Sequence, residues 1–125
     1  MFICRLLFPC ILLAVFFVPG LAKRLAPKPV APVISGGIRY SAGGNGTDQY
    51  VVATDLASGH ELWRVKVFHV HIDPWMERDV QDVFITDLKL VDNTLFVRDE
   101  KSRCYSIDLA GRQVRKRQCA SIFSP

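Results

Sequence analysis

Long apolar runs are missing from this chain. The longest, Leu6 to Val18, covers 13 residues, against roughly 20 for a helix that crosses a bilayer. A strong charge of one sign is missing too. Sixteen basic and twelve acidic residues leave a net charge of +4, which supports weak attraction to anionic surfaces at most, and no nucleic-acid partner is expected. Catalytic signatures are also absent. There is no Ser-His-Asp motif and no nucleophile elbow. Gly43-Gly44-Asn45-Gly46 lacks the strand-to-helix setting of a phosphate loop. Asp79, Asp82 and Asp87 are too sparse for a Ca²⁺ loop and lack the glycine such a loop requires, so they read as solvated turn residues.

What the chain does have begins with an export signal. Arg5 supplies a positive start, Leu6 to Val18 an apolar centre, and Gly20-Leu21-Ala22 the small residues of a cleavage site. Residues 1–22 therefore read as a secretory signal peptide, with an uncleaved anchor as the alternative. The protein is expected to be secreted or periplasmic, touching a membrane only through this segment before cleavage. Cys10 follows Leu7-Phe8-Pro9, a poor lipidation signal. Cleavage after Ala22 leaves 103 of the 125 residues, enough for one small domain.

Residues 23–32, KRLAPKPVAP, hold three prolines and read as an extended tether. From Val33 to Gln118 the pattern is β throughout. Ile34 to Ala42 forms a strand interrupted at Gly36-Gly37. Gln49 to Asp55 and Glu61 to Val70 alternate faces, with Trp63, Val65 and Val67 toward the core. Val83 to Val91, Thr94 to Asp99, Arg103 to Asp108 and Arg112 to Gln118 complete about seven strands. Between them, Asp73-Pro74 has the form of a helix N-cap followed by the first helical residue, which predicts a short helical turn over 75–82 with Trp75 as a lid on the core. Short turns favour an antiparallel meander, and residues 119–125 form a tail.

Cys104 and Cys119 remain after processing, and an oxidising compartment favours bridging. A tight turn between Asp108 and Arg112 puts Cys104 opposite residue 116, about three residues from Cys119. A bridge therefore needs the C-terminal end to fold back, and both outcomes stay open. Arg112, Arg115, Lys116 and Arg117 crowd one stretch. They read as a solvated strand edge protected by charge, with an anion-binding patch as the alternative.

Ala53, Asp55, Gly59 and Trp63 fit Ala-x-Asp-x-x-x-Gly-x-x-x-Trp. A second, degraded copy aligns Tyr40 with Phe96, Asp55 with Asp108 and Gly59 with Gly111, and puts Arg115 where Trp is expected. On these residues the chain resembles the quinoprotein-like repeat family of PQQ-dependent alcohol dehydrogenases and the β-barrel assembly lipoprotein. The resemblance implies four-stranded propeller blades, with the Trp packed between neighbouring blades. It also implies that Asp55, Gly59 and Trp63 shape the blade rather than react. Two blades cannot close a propeller or surround a planar cofactor. The expected fold is therefore all-β: a twisted sheet or small sandwich resembling two blades, without a closed ring and without a cofactor.

His69, His71 and Asp73 spell His-x-His-x-Asp. On an extended strand both imidazoles share one face, a spacing that suits a metal. Pro74 follows, and His60 is the only other histidine, so the bland reading is solvated side chains. The functional expectation is an exported binding or scaffolding module without catalysis. Its partner would be another protein or a second copy, engaged through open sheet edges. The alternative is a metal-binding protein or metal-dependent enzyme using His69, His71 and Asp73.

Overall fold

A computed structural model describes residues 27–120, 122 and 123. The expected signal segment, residues 23–26 of the tether and part of the tail lie outside the described residues. Among those described, the fold is all-β, with eight strands: β1 (Val33–Ser35), β2 (Ile38–Gly44), β3 (Asp48–Asp55), β4 (Glu61–His69), β5 (Ile85–Val91), β6 (Thr94–Asp99), β7 (Cys104–Asp108) and β8 (Val114–Arg117). They form two four-stranded antiparallel meanders, β1-β2-β3-β4 and β5-β6-β7-β8. Neither closes into a barrel or a propeller. The expected first strand is two strands, because Gly36 and Gly37, at φ 58° and 73°, reverse the chain between Ser35 and Ile38.

The sheets bury one face each against the other. Tyr40, Val51, Ala53 and Val67 from the first sheet meet Ile85, Leu95, Val97, Tyr105 and Ile107 from the second in one cluster. Strand alternation selects these residues. Along β6, Leu95, Val97 and Asp99 are buried while Thr94, Phe96 and Arg98 are half-buried. Each fully buried Val, Leu or Ile contributes about 1.5–3 kcal/mol. Trp63 and Val65 pack on this cluster without being sealed inside it, and the Trp63 ring lies 6.0 Å from that of Tyr40. Phe68 stacks on Tyr105 across the sheets at 5.3 Å. A polar tie joins them as well: the buried Gln49 accepts a hydrogen bond from the Ile85 backbone N–H through Oε1 at 3.2 Å.

The two sheets are built alike. Strand register aligns Val33, Tyr40, Ala53 and Trp63 in one row of the first sheet, and Lys89, Phe96, Ser106 and Arg115 in the matching row of the second. The turns after β3 and β7 share a hydrogen-bond scheme. Gly59 N–H donates to Asp55 O and Asp55 N–H to His60 O; Arg112 N–H donates to Asp108 O and Asp108 N–H to Gln113 O. The left-handed residue is Gly59 at φ 73° in the first and Arg112 at φ 56° in the second. This corrects the sequence alignment, which gave that role to Gly111. The interval from Asp to the left-handed residue is the same in both turns, and an arginine fills it in the second.

Both ends of the described residues make contacts with the sheets. Val30, in the expected tether, packs against the core. At the other end Cys104 and Cys119 are disulfide-bonded, with Cα atoms 5.2 Å apart. Cys104 pairs in register with Arg117, not with residue 116, so Cys119 lies two residues beyond the end of the ladder. Past the bridge, the Ile122 carbonyl accepts from Lys89 Nζ at 2.8 Å, and the Phe123 ring sits 5.0 Å from the Arg98 guanidinium.

Candidate functional site

The connection from β4 to β5, residues 70–84, is the longest between strands, and most loops of that length are functional or disordered. This one is highly organised. Asp73 Oδ1 accepts from Trp75 N–H at 2.9 Å, and Asp73 O accepts from Met76 N–H at 3.2 Å. Gln81 closes the loop from the far side. Its Oε1 accepts from Asp73 N–H at 2.6 Å, and its Nε2 is shared among the carbonyls of Asp73, Met76 and Glu77 at 3.0, 3.2 and 3.1 Å. These bonds replace the expected helical turn. Asp73 does bond the start of the segment, but Gln81 takes the carbonyls a helix would use, and the chain forms successive turns.

The loop is docked on the β2–β3 hairpin. Val70 N–H donates to Thr47 O at 2.7 Å, and Val83 N–H to Gly46 O at 3.0 Å. Arg78 Nη2 donates to Thr47 Oγ1 at 2.5 Å, and its Nε lies 3.7 Å from Asp82 Oδ1. Gly46 is required here: its φ is 83°, and a Cβ would stand 2.6 Å from Asp82 Cγ. The hairpin itself is capped by Asn45 Oδ1, which accepts from the Thr47 and Asp48 N–H groups at 3.1 and 2.9 Å.

This framework presents apolar side chains to water. Trp75 is 93% exposed, with Met76 at 57% and Val80 at 60%. Trp75 is therefore not the lid on the core that its hydrophobicity predicts. Asp73, Glu77, Asp79 and Asp82 flank the apolar residues in sequence, with Arg78 as the one cation between 73 and 82. The segment is acidic in a chain that is otherwise basic.

The metal reading loses its geometry. β4 ends at His69, so the alternation that would put His71 beside it does not continue. His69 Nδ1 lies 2.6 Å from Asp48 Oδ1 on the neighbouring strand. This contact, the largest cause, holds the Asp48 carboxyl below its ordinary value, with Lys66 adding to it. His71 is exposed, and Asp73 serves the loop. Among the described residues no three His, Cys, Asp or Glu side chains converge as a metal site. Asp87 pairs with Arg98 at 2.7 Å.

The motif residues sit where they shape the fold. Asp55 accepts from Ser58 Oγ at 2.7 Å and from Ser58 N–H at 3.3 Å, and the hydroxyl contact is the main cause holding its carboxyl below the usual value. In the second turn Asp108 Oδ1 accepts from Ala110 N–H at 3.1 Å. Ala53 is fully buried under Trp63 in the shared row. Two features escaped the sequence reading. One is Asp99, 2% exposed, which bonds Lys101 N–H, Arg103 N–H and the Arg103 guanidinium; an Asp four residues before an Arg across a turn was the available signal. The other is a cleft of about 360 Å³ between the sheets, lined by Val67, Phe68, His69, Arg103, Tyr105, Val114 and Lys116, which only the packing creates.

No protein-family model matches this chain, and no curated protein matches it.

Proposed function

We propose that this protein is an exported binding module of the quinoprotein-like repeat type, without catalytic activity, and that its β4–β5 loop docks on a protein partner. The observation that carries the reading is Trp75, held 93% exposed on a loop that Gln81 and Arg78 fix in place. Exposing an indole to water is unfavourable, and its burial at an interface is a common source of binding energy. A pre-ordered loop avoids much of the entropy cost of binding.

Charge selects the partner's chemistry. Four acidic residues and one arginine between 73 and 82 call for an apolar pocket with a cationic rim. They disfavour an anionic lipid surface. The β4 edge, nine residues long and unpaired on one side among the described residues, runs into this loop and offers backbone groups for strand addition. Stacking of copies face to face is less favourable, because the outward rows of both sheets carry cations: Arg39, Arg64 and Lys66 on one, Arg115 and Arg117 on the other. Export is supported by the leading segment and by the Cys104–Cys119 bridge.

The test is capture from envelope and secreted fractions, followed by affinity measurement with the captured protein. Trp75→Ala is expected to weaken binding about 30-fold, the equivalent of about 2 kcal/mol for an interface anchor, and added salt to weaken it further. Equal affinity of wild type and Trp75→Ala for every captured protein would remove the loop from the interface.

A further inference from the structure

The matching rows of the two sheets face different surroundings. Tyr40, Ala53 and Trp63 face the second sheet, whereas Phe96, Ser106 and Arg115 lie on the outward face of that second sheet. One end of this outward face is occupied by the C-terminal residues, through Lys89 to Ile122 and Arg98 to Phe123. Among the described residues, none covers the other end. There, a depression of about 220 Å³ is lined by Thr94, Ser106, Asp108, Gln113, Arg115 and Arg117.

The geometry points to a site for a phosphate or sulfate ester in this depression, held by Arg115 and Arg117. The two arginines are two residues apart on β8 and so share one face, with their Cα atoms about 7 Å apart. Arg117 Nε donates to Ser106 Oγ at 2.9 Å, and Arg115 Nη2 donates to Gln113 Oε1 at 3.3 Å. Among the described residues, no carboxylate is within 4.0 Å of either guanidinium. The one carboxylate in the wall, Asp108, uses Oδ1 on the turn at Ala110.

The donors suit an oxyanion. Each guanidinium has five N–H groups and uses one in these contacts, leaving planar forks of the kind that match phosphate and sulfate oxygens. Ser106, only 4% exposed, accepts from Arg117 and keeps its own proton to donate. Thr94 adds a second hydroxyl. The volume is below the roughly 300 Å³ at which small-molecule pockets begin, so the depression fits one charged group of a larger ligand rather than a whole molecule. Lys116, on the opposite face of the same strand, lines the cleft between the sheets instead.

The test uses the full chain in its exported, disulfide-bonded form. Inorganic phosphate and sulfate are titrated while the amides of Ser106, Arg115 and Arg117 are followed by NMR. A heparin column and vesicles rich in phosphatidylglycerol then present the same chemistry as a glycan or a lipid headgroup. Arg115→Gln/Arg117→Gln is compared with Arg112→Gln/Lys116→Gln, which removes the same charge from the turn and the opposite face. The expected result is localised shifts with both anions, and heparin or vesicle retention that falls at least tenfold in the first variant and less than threefold in the second. Retention on heparin alone assigns the ester to a glycan, and on vesicles alone to a lipid. Arg117→Lys keeps the charge but not the fork, and is expected to lose most of the affinity. Equal losses in both double variants would overturn the site in favour of diffuse charge, as would the absence of localised shifts. Trp75→Ala should leave anion binding unchanged, so failure here and failure of the docking loop are read separately.

Discussion

Replacing Gln81 with leucine is expected to loosen the β4–β5 loop while leaving the two sheets folded. The carboxamide accepts one backbone hydrogen bond and shares its Nε2 among three carbonyls. Two protons on that nitrogen limit the donated bonds to two full equivalents, so the side chain supplies about three bonds. At about 0.5–1.5 kcal/mol net for each, Gln81 holds the loop by about 1.5–4.5 kcal/mol. Most of the loop is exposed, and it touches the sheets mainly through Val70, Arg78 and Val83. The loss of global stability is therefore capped by the free energy of opening the loop alone. Leucine has similar volume and leaves Trp75 in the chain. Native-state hydrogen exchange reads the effect: the amides of Trp75, Met76 and Gln81 should exchange at least tenfold faster, with Val51 and Leu95 nearly unchanged. Affinity for the proposed partner should fall as well, because the cost of ordering the loop is moved to the binding step. Unchanged loop exchange would refute the clamp. Equal acceleration in loop and core would show that Gln81 supports the whole fold instead.

Gln49→Leu should cost about 1–3 kcal/mol, because it strips the acceptor from the Ile85 N–H between the two sheets; an unchanged urea midpoint would contradict that tie. Cys104→Ser/Cys119→Ser opens a closure of 15 residues, worth about 3 kcal/mol by chain entropy, and the wild type in reductant should match the variant. Asp48 and Asp55 are held below the ordinary carboxyl value of 3.8, chiefly by His69 and by the Ser58 hydroxyl. Their folded values are depressed, so their stabilisation is complete above the unfolded value and disappears as pH falls through the folded ones. Asp48→Asn/Asp55→Asn should therefore flatten the fall in urea midpoint below about pH 4, and parallel curves for variant and wild type would exclude this linkage.

The strands were legible because alternation and turn chemistry are local. Thr94–Asp99 is bounded by Asp92-Asn93 and Glu100-Lys101, and its buried residues recur every second position. Gly36-Gly37 marked a break in the sequence, but whether it is a bulge or a full reversal depends on pairing between β1 and β2. What stayed hidden was decided by contacts between distant residues. Asp73-Pro74 carries a real helix-start signal, overridden by a glutamine eight residues later. The spacing of His69 and His71 suits a metal only on a continuing strand, and Asp48 takes His69 from the neighbouring one. Trp75 looked buried because indoles usually are; nothing local says that its loop points away from the core. The disulfide depended on two residues of chain continuing past the ladder, a matter of register that the composition of the turn did not reveal.

The divergence between the two repeats has a physical reason in their positions. A row that faces another sheet must be apolar, and Tyr40, Ala53 and Trp63 are. Among the described residues, the matching row in the second sheet has no third sheet to face. There, a tryptophan would expose a large apolar surface beside Phe96, the kind of patch that drives association. Arg115 replaces it, Ser106 replaces Ala53, and the disulfide-tied C-terminal residues cover the end with Lys89 and Arg98. The opposite outward face is also polar in part, with Thr54 standing where the second sheet has the buried Ile107, and with Arg39 and Arg64 paired beside Thr54 and Val52. The weak second motif is thus what a row turned away from the other sheet requires. Stacked repeats need polar residues on faces that meet no neighbour, and among the described residues both outward faces carry cations, Arg39, Arg64 and Lys66 on one and Arg115 and Arg117 on the other. The polar cap on the second sheet then left two arginines, freed from packing, on a surface where they can meet an anion.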